Sequence, residues 1–447
     1  MALTGLQIYK LLPPSSTKPA VKAHANCKEC GFPTCLAFAM KLAAKQAELS
    51  LCPYVEESAK NQLEESAAPP IRLITLAGTT KKLEVGNELV LFRHEKTFYH
   101  PPGLFVRVKD TQADAAQVAK AVNDYAVDYV GMSLGLDGIA VEAAGGDFAG
   151  TVAAVKNACG LPLILMATDP AKAEAGLKAA VGTKPLLWAA TPSNWQPMAK
   201  LAAQYKASLV VTDSGDLDKL AGLAEQVKGA GVEDIVLDPG VRGYADTLVT
   251  FTQLRRLALK KNERKVGYPM IAFAGDDMVL AAQHVAKYAG CVVLDSFNAA
   301  VAYSLIVLRA NLFTDPQKPI QVLPGLYEIN KPGPADPLMI TTNFSITYFS
   351  VANEVESSGL PGWLLVADAE GMSVLTAWAA GKFDAERIAK TVKTTGIMDK
   401  INHKRLVIPG HVAVLMGEIE EELPGWEINV GPREAVDLPN FLKTRWG

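Results

Sequence analysis

The chain has 447 residues, is 49% hydrophobic, and carries a formal net charge of −3, with 44 basic residues set among 47 acidic ones. That balance gives no electrostatic footprint for nucleic acid, and no apolar run reaches the length of a bilayer span. The length suits about two to four domains with sizeable cores, so the composition describes a soluble α/β protein expected in the cytoplasm, with neither nucleic acid nor membrane as partner.

The first segment in chain order, TGLQIYKLL, has the pattern of a short amphipathic helix, with Thr4 and Gln7 placed as a capping box. Its apolar residues Leu6, Ile8, Leu11 and Leu12 are set to pack on the next helix. Four cysteines follow, Cys27, Cys30, Cys35 and Cys52, spaced C-x2-C-x4-C-x16-C, the last before Pro53. Three thiols in one short loop and a later Cys-Pro suit a cubane iron–sulfur cluster. Structural zinc sites favour two knuckles, or a knuckle with a His pair, and here there is one knuckle. A disulfide framework belongs to oxidising compartments, and no signal-peptide pattern precedes the motif. The two other cysteines, Cys159 and Cys291, stand alone and read as buried small apolar residues. Thr34 is placed to cap a helix through CLAFAMKLA. A straight helix from Cys35 to Cys52 would part the two by roughly 25 Å. One cluster does not reach across that gap, so the chain is expected to turn back around Lys45 to Glu48.

Pro69 and Pro70 mark a first boundary, and a run of prolines and glycines between Pro324 and Pro337 marks a second. Between them, short apolar runs alternate with Ala-rich helical patterns: LFVRV, VDYVGMS, LPLILMA, PLLWAA, SLVVTD, DIVLDPG, YPMIAFAG and CVVLDS. Continuous apolar strands alternating with helices predict a parallel sheet covered on both faces, and eight such units match a TIM (β/α)8 barrel, with an open doubly wound sheet as the alternative. Asp169, Asp213, Asp238, Asp276, Asp277 and Asp295 close several of these strands. They are expected to cap the following helices, and none belongs to a metal-ligand set or a nucleophile–base pair. His94 and His100, in FRHEKTFYH, are expected to play a structural role rather than face a ligand.

Beyond the second boundary come the strands LMITT, GWLLVAD, KRLVIPG and WEINVG. Each ends in a loop of small polar residues that opens a helix, bringing Thr341, Thr342, Ser345, Thr347, Gly371, Ser373, Gly410 and Gly431 toward one face. In α/β sheets ligands bind outside the carboxyl ends of the strands. That face suits a large planar ligand fringed with amides, suits a phosphate equally, and is also what ordinary strand–helix loops look like.

The cluster motif CKECGFPTCLAFAMKLA, the segments FRHEKTFYH and LDPG, and the phrases TTNFSITYFSV, DAEGMSVLTAWAAGKF and GWEINVGPREA resemble the large subunit of the corrinoid iron–sulfur protein of the reductive acetyl-CoA pathway, whose archaeal homologue is the gamma subunit of acetyl-CoA decarbonylase/synthase. The resemblance runs over nearly the whole chain. It implies a methyl carrier. The methyl group of a methylated pterin passes, through a partner methyltransferase (a methyltetrahydrofolate or other pterin enzyme), onto corrinoid cobalt(I), and is delivered to acetyl-CoA synthase/CO dehydrogenase. It also implies a heterodimer with a smaller barrel subunit. With the boundaries read above, the organisation is a small helical domain at 1–68, a TIM barrel at 69–325 and an α/β domain at 326–447, and the resemblance implies that the first holds the iron–sulfur cluster and the last the corrinoid. Carried over residue by residue, Cys27, Cys30, Cys35 and Cys52 would hold one 4Fe-4S cluster, and Thr341, Thr347, Gly371, Met372, Ser373, Val374 and Ala435 would contact the corrinoid. The stretch PSSTKPAVKAHA at 14–25 is longer than the family usually carries there.

Cobalt(I) is electron-rich and disfavours a strong axial donor. The chain has no D-x-H-x-x-G loop, and His403 is placed before a strand. His411, after Pro409-Gly410, is the one histidine at the ligand face, so the expected corrinoid is base-off with no protein nitrogen on cobalt. A low-potential cluster would return oxidised cobalt(II) to cobalt(I). The chain is then a carrier and electron relay, of the methyltransferase class if it is classed as an enzyme. Two other readings are an electron-transfer subunit without corrinoid, and a pterin-dependent barrel methyltransferase.

Overall fold

The computed structural model describes residues 5–12, 26–43, 46–56, 59–60, 69–129, 132–315 and 320–446. They fall into two compact units, one holding the chain to Tyr125 and Leu136–Phe313, the other Ala126–Gly135 and the chain from Thr314 onward.

In the first unit, helix Gly5–Leu11 packs on helix Cys35–Ala43. Ile8, Leu12, Phe38, Ala39, Val55 and Ala59 make a small sealed core, with Cys30, Cys35 and Cys52 against it. Leu6, expected to join this core, is instead 59% exposed. It sits on the outer side of the short helix, while Ile8 and Leu12 turn fully inward and Leu11 packs half-buried against the same core. Thr4 and the 14–25 stretch lie outside the described residues.

Strands β1 (Ile74–Ala77) and β2 (Lys82–Val85) form an antiparallel hairpin whose Ile74, Leu76, Leu83 and Val85 join the core inside the barrel. The first barrel strand, β3 (Gly103–Lys109), leads through helix Ala115–Asp124 to a second antiparallel hairpin, β4 (Ala126–Tyr129) and β5 (Met132–Gly135). That hairpin belongs to the second unit. The barrel resumes with β6 (Gly138–Glu142), β7 (Leu163–Met166), β8 (Leu186–Ala190), β9 (Ser208–Thr212), β10 (Ile235–Asp238), β11 (Met270–Gly275) and β12 (Ala289–Leu294). These strands and β3 close in the order β3-β6-β7-β8-β9-β10-β11-β12 and back to β3, all parallel. The expected TIM-type barrel is therefore present, with one correction: VDYVGMS is not a barrel strand, and GIAVE at Gly138–Glu142 takes its place. In β4, buried Val127 stands between exposed residues, the signature of a sheet with one wet face, whereas β6 is buried at all but its last residue.

Phe105, Ala140, Ile164, Val210, Val236, Ile271 and Cys291 fill the barrel. Cys291 is sealed there and Cys159 is 5% exposed, as small apolar residues. Asp147, Asp169, Asp216, Asp277 and Asn298 cap their helices through backbone N–H groups, each worth about 1 kcal/mol. Among the strand-end acids, capping therefore holds for Asp169 and Asp277. Asp238 is fully buried and instead pairs with both guanidinium nitrogens of Arg242 at 2.9 Å, and accepts from Trp188 Nε1. Asp295 pairs with Arg107 at 2.6 Å, Asp276 accepts from Ser296, and Asp213 accepts from Ser214. Basic and hydroxyl side chains crowd these strand ends, and a carboxylate losing water takes the nearest strong donor.

The second unit is a five-stranded sheet in the order β13-β15-β14-β16-β17, made of β13 (Gly325–Ile329), β14 (Leu338–Thr342), β15 (Gly362–Ala367), β16 (Arg405–Ile408) and β17 (Glu427–Val430). The four parallel strands are those expected from the sequence. The antiparallel edge strand β13 lies in the Pro/Gly-rich stretch that reads as a boundary. Tyr129 and Met132 of the β4–β5 hairpin pack on the core under this sheet, beside Ile329, Met339 and Leu364. Among the described residues no helix is long and apolar enough to cross a membrane.

Candidate cofactor sites

The cysteine site is built on one loop and two short helices. Thr34 Oγ1 accepts from Ala37 N at 3.0 Å and so opens helix Cys35–Ala43, as its sequence predicts. The helix ends at Ala43, and a separate turn, Leu49–Leu51, leads into Cys52. The chain thus turns back, as one cluster requires. Two side chains show where it returns. The Tyr54 hydroxyl donates to Glu29 Oε2 at 2.7 Å, joining the residue after Cys52-Pro53 to the loop between Cys27 and Cys30. Asn26 Oδ1 accepts from Cys35 N at 2.9 Å, closing the loop that carries the first three thiols. Lys28 (φ 66°) and Gly31 (φ 80°) turn that loop through left-handed backbone.

All four thiols are half-buried and free of disulfides. Burial pushes the Cys52 thiol pKa up, the charges of Cys30, Cys35 and Cys27 push it the same way, and a hydrogen bond from the Tyr54 backbone opposes them. Cys52 is thus within electrostatic reach of the other three sulfurs. Among the described residues no three His, Cys, Asp or Glu side chains converge on a single metal-ion position. A four-iron cluster takes one thiolate per iron and asks for no such convergence. Four half-buried thiols with a backbone N–H on one of them fit that group.

At the other end of the chain, β14 and β16 are neighbours while β15 lies on the far side of β14, so strand order reverses between β14 and β16. Ligands collect outside the carboxyl ends of strands at such a reversal. A cleft of about 740 Å³ opens there, walled by helix Ser345–Ser357 and by the segment from Gly431 to Leu438, within the size of ordinary cofactor sites. Thr341 lines it, and its Oγ1, sealed from water, has no hydrogen-bond partner. A buried hydroxyl left unpaired is costly, and the Thr342 Oγ1 beside it is sealed and unpaired in the same way. Ile346, Leu375 and Val436 line the same cleft with exposed side chains, giving it an apolar rim. Gly410 N donates to Pro432 O at 3.0 Å and Gly431 N to Ile408 O at 2.9 Å, which ties the last two loops together below the cleft. An apolar-edged slot with the hydroxyls of Thr347 and Ser373 on its walls fits a large, amide-fringed macrocycle.

Residues 73–442 match the family model described as CO dehydrogenase/acetyl-CoA synthase delta subunit, and residues 23–54 match one described as a putative Fe-S cluster. The chain is 42% identical to the corrinoid/iron-sulfur protein large subunit of Moorella thermoacetica, over 99% of both chains. The chain belongs to the corrinoid/iron–sulfur protein large-subunit family. It is also 37% identical to the acetyl-CoA decarbonylase/synthase complex subunit gamma of Archaeoglobus fulgidus, over 99% of this chain and 98% of that one. Among solved structures, the dihydropteroate synthase of Thermus thermophilus overlaps 53% of this chain and 99% of its own, at a TM-score of 0.36 and 17% identity, which is too slight to bear on function.

Of the corrinoid contacts expected from the family motifs, Thr341, Thr347, Ser373, Val374 and Ala435 line the cleft. Gly371 and Met372 do not: Gly371 (φ 73°) is buried behind the wall, and Met372 packs on the core of the second unit. His411 also lines the cleft. His403 is structural, bonded to Asp336 O at 2.9 Å and set edge-on to Trp446. In FRHEKTFYH, His94 stacks on Phe92 and His100 N donates to Glu88 Oε1, as structural residues do. Sequence reasoning missed Phe349, Ser350 and Val436 of the cleft wall. Phe349 and Ser350 were legible in principle, since they follow Ile346 at i+3 and i+4 and so share its helix face.

Proposed function

We propose that the chain is a methyl carrier: it accepts the methyl group of a methylated pterin, through a methyltransferase, on a corrinoid held in the β14–β16 cleft, and passes it to acetyl-CoA synthase. Bound there, a corrinoid would supply the cobalt(I) nucleophile, and a 4Fe-4S cluster on Cys27, Cys30, Cys35 and Cys52 would supply the single electron that restores cobalt(I) after oxidation. The protein's own contribution is to hold and shield. Thr341 underlies the floor, Thr347 and Ser373 offer hydroxyls on the walls, and Val374 and Ala435 give apolar contact. The observation that carries this reading is an apolar-rimmed cleft at the strand-order reversal, lined by Thr347, Ser373, Val374 and Ala435, in a chain whose other end gathers four thiols.

The corrinoid is proposed to be base-off, with His411 in the wall but not on cobalt. The partners proposed are the small barrel subunit, the pterin methyltransferase and acetyl-CoA synthase/CO dehydrogenase, all in the cytoplasm. The cysteine segment (1–68), the barrel (69–325) and the C-terminal part (326–447) are proposed as separate working parts, the last extended by the hairpin Ala126–Gly135. The rim carboxylates Asp238 and Asp295 are taken up by Arg242 and Arg107, which weighs against a pterin site in this barrel.

Metal analysis of the purified protein tests the reading: iron and cobalt together are expected, and iron without cobalt would leave only an electron-transfer subunit. Electron paramagnetic resonance of the cobalt(II) form is expected to lack nitrogen splitting. Splitting that vanished on replacing His411 would reverse the base-off assignment.

A further inference from the structure

Asn343 stands one residue beyond β14, is 1% exposed, and does not line the cleft. Its side chain nonetheless makes four hydrogen bonds close behind it. Oδ1 accepts from Ala369 N and from Gly371 N, each at 2.9 Å. Nδ2 reaches Gln321 Oε1 and Asp368 Oδ1, each at 3.3 Å. Its backbone continues the pattern, with Asn343 N donating to Ala367 O and Asn343 O accepting from Val322 N. One buried amide thus joins three loops: the one before β13, the one after β14 and the one after β15.

The loop after β15 is the one that needs holding. Gly371 is in left-handed backbone, and a Cβ there would lie 2.6 Å from the Gln321 side chain. Two residues later the chain reaches Ser373 and Val374, which do line the cleft. Ala369 N and Gly371 N are buried donors that both rely on Asn343 Oδ1, and left unpaired each would favour a different loop conformation.

We infer that Asn343 is a positioning residue for the cleft, locking the Asp368–Gly371 turn so that Ser373 and Val374 are presented to the bound corrinoid. The inference rests on the corrinoid reading for its consequence, and on hydrogen bonding alone for the locking. A polar core residue whose donors and acceptors are all used specifies one arrangement of the loops around it. It touches no ligand, so it acts through the residues it holds.

The test uses the full-length protein in three forms: Asn343→Ala, Asn343→Asp, and Asn343→Asp combined with Asp368→Asn. The Ala variant loses the acceptor. The Asp variant keeps it but sets two carboxylates against each other. The double variant restores a donor facing an acceptor between positions 343 and 368, while giving up the bond from Glu370 N to Asp368 Oδ1. Amide hydrogen exchange at Ala369 and Gly371, read without any corrinoid, is expected to accelerate in the Ala variant, to accelerate in the Asp variant through repulsion from Asp368, and to return toward wild type when Asp368→Asn is added to the Asp variant. Hydroxocobalamin titrated into corrinoid-stripped protein is expected to bind about tenfold more weakly to the Ala variant, with the double variant recovering. Unchanged exchange at both amides would overturn the locking. Faster exchange with unaltered binding would overturn the link to the cleft. Wild-type protein that takes up no hydroxocobalamin would instead sink the corrinoid reading, while the exchange measurement still decided what Asn343 does.

Discussion

The Tyr54 hydroxyl donates to Glu29 at 2.7 Å, and through that bond the Cys52-Pro53 end of the proposed ligand set is fastened to the loop between Cys27 and Cys30. With Asn26 Oδ1 on Cys35 N, it holds the thiols in place by side chains that are not themselves ligands. Tyr54→Phe is expected to leave the chain folded and to speed loss of iron to a chelator. Asn26→Ala is expected to do the same, at a cost of about 1 kcal/mol for the lost bond. Iron content against time of chelator exposure checks both, and retention equal to wild type in each would show that the thiols alone set the site.

Replacing Cys30 separates the two proposed tasks. Cys30→Ala is expected to leave methyl transfer from preformed cobalt(I) within about twofold of wild type, because the cleft residues are untouched. Recovery of protein stalled as cobalt(II) is expected to be abolished. The measurement is single-turnover methyl transfer beside reductive activation by a low-potential electron donor. Normal activation in the variant would remove the cysteine segment from that task.

Arg255 and Glu88 meet at 3.1 Å with both side chains nearly sealed. Glu88 also accepts from the backbone N–H groups of Tyr99 and His100, and Arg255 donates to Val90 O and lies over the ring of Tyr288. The pair therefore fixes the FRHEKTFYH segment to helix Tyr244–Lys260. Arg255→Met leaves a buried carboxylate without its counter-charge, with only two backbone N–H donors on it, and is expected to cost about 3–5 kcal/mol, read as a lowered urea midpoint. The double variant with Glu88→Gln is expected to regain part of that loss.

His284 is 1% exposed, stacks on Phe251, and has no partner for Nε2. Burial first, and the Arg242 charge second, lower its pKa from 6.5 to about 4. The unfolded chain therefore binds a proton that the folded one refuses in that interval, and stability falls as pH drops from about 6.5 toward about 4. From pH 7 to pH 5 this one group accounts for about 2 kcal/mol. His284→Leu is expected to flatten that part of the profile, measured as the urea midpoint of the barrel unit at the two pH values. An unchanged slope would assign the acid sensitivity elsewhere.

The barrel was legible because a strand buried on both faces must be apolar throughout, and runs such as SLVVT and CVVL have no other soluble use. The exception is instructive. VDYVGMS looks like those runs by composition, but its burial alternates, and only its packing beside Met339 and Leu364 assigns it to the second unit. β13 was hidden for a related reason: an antiparallel edge strand needs only one good face, and its neighbours are prolines. The cleft was half legible. Thr341, Thr347, Ser373, Val374 and Ala435 sit where the motifs put them, while Gly371 and Met372 belong to the wall behind. In sequence, a glycine that meets a ligand and a glycine that lets a loop turn look alike.

By itself, the sequence determined the element types, a parallel barrel and a second parallel sheet with polar loops, and set out the proposed cluster chemistry in four thiols at cluster spacing. Those follow from local rules, namely which atoms bind iron and which side chains bear full burial. Only the tertiary structure decided that the chain turns back at the cysteines through Tyr54 and Glu29, that a hairpin leaves the barrel for the other unit, and that Asn343 ties three loops together behind the cleft. Each of those is a contact between residues far apart in sequence, made where burial leaves a polar group one remaining partner.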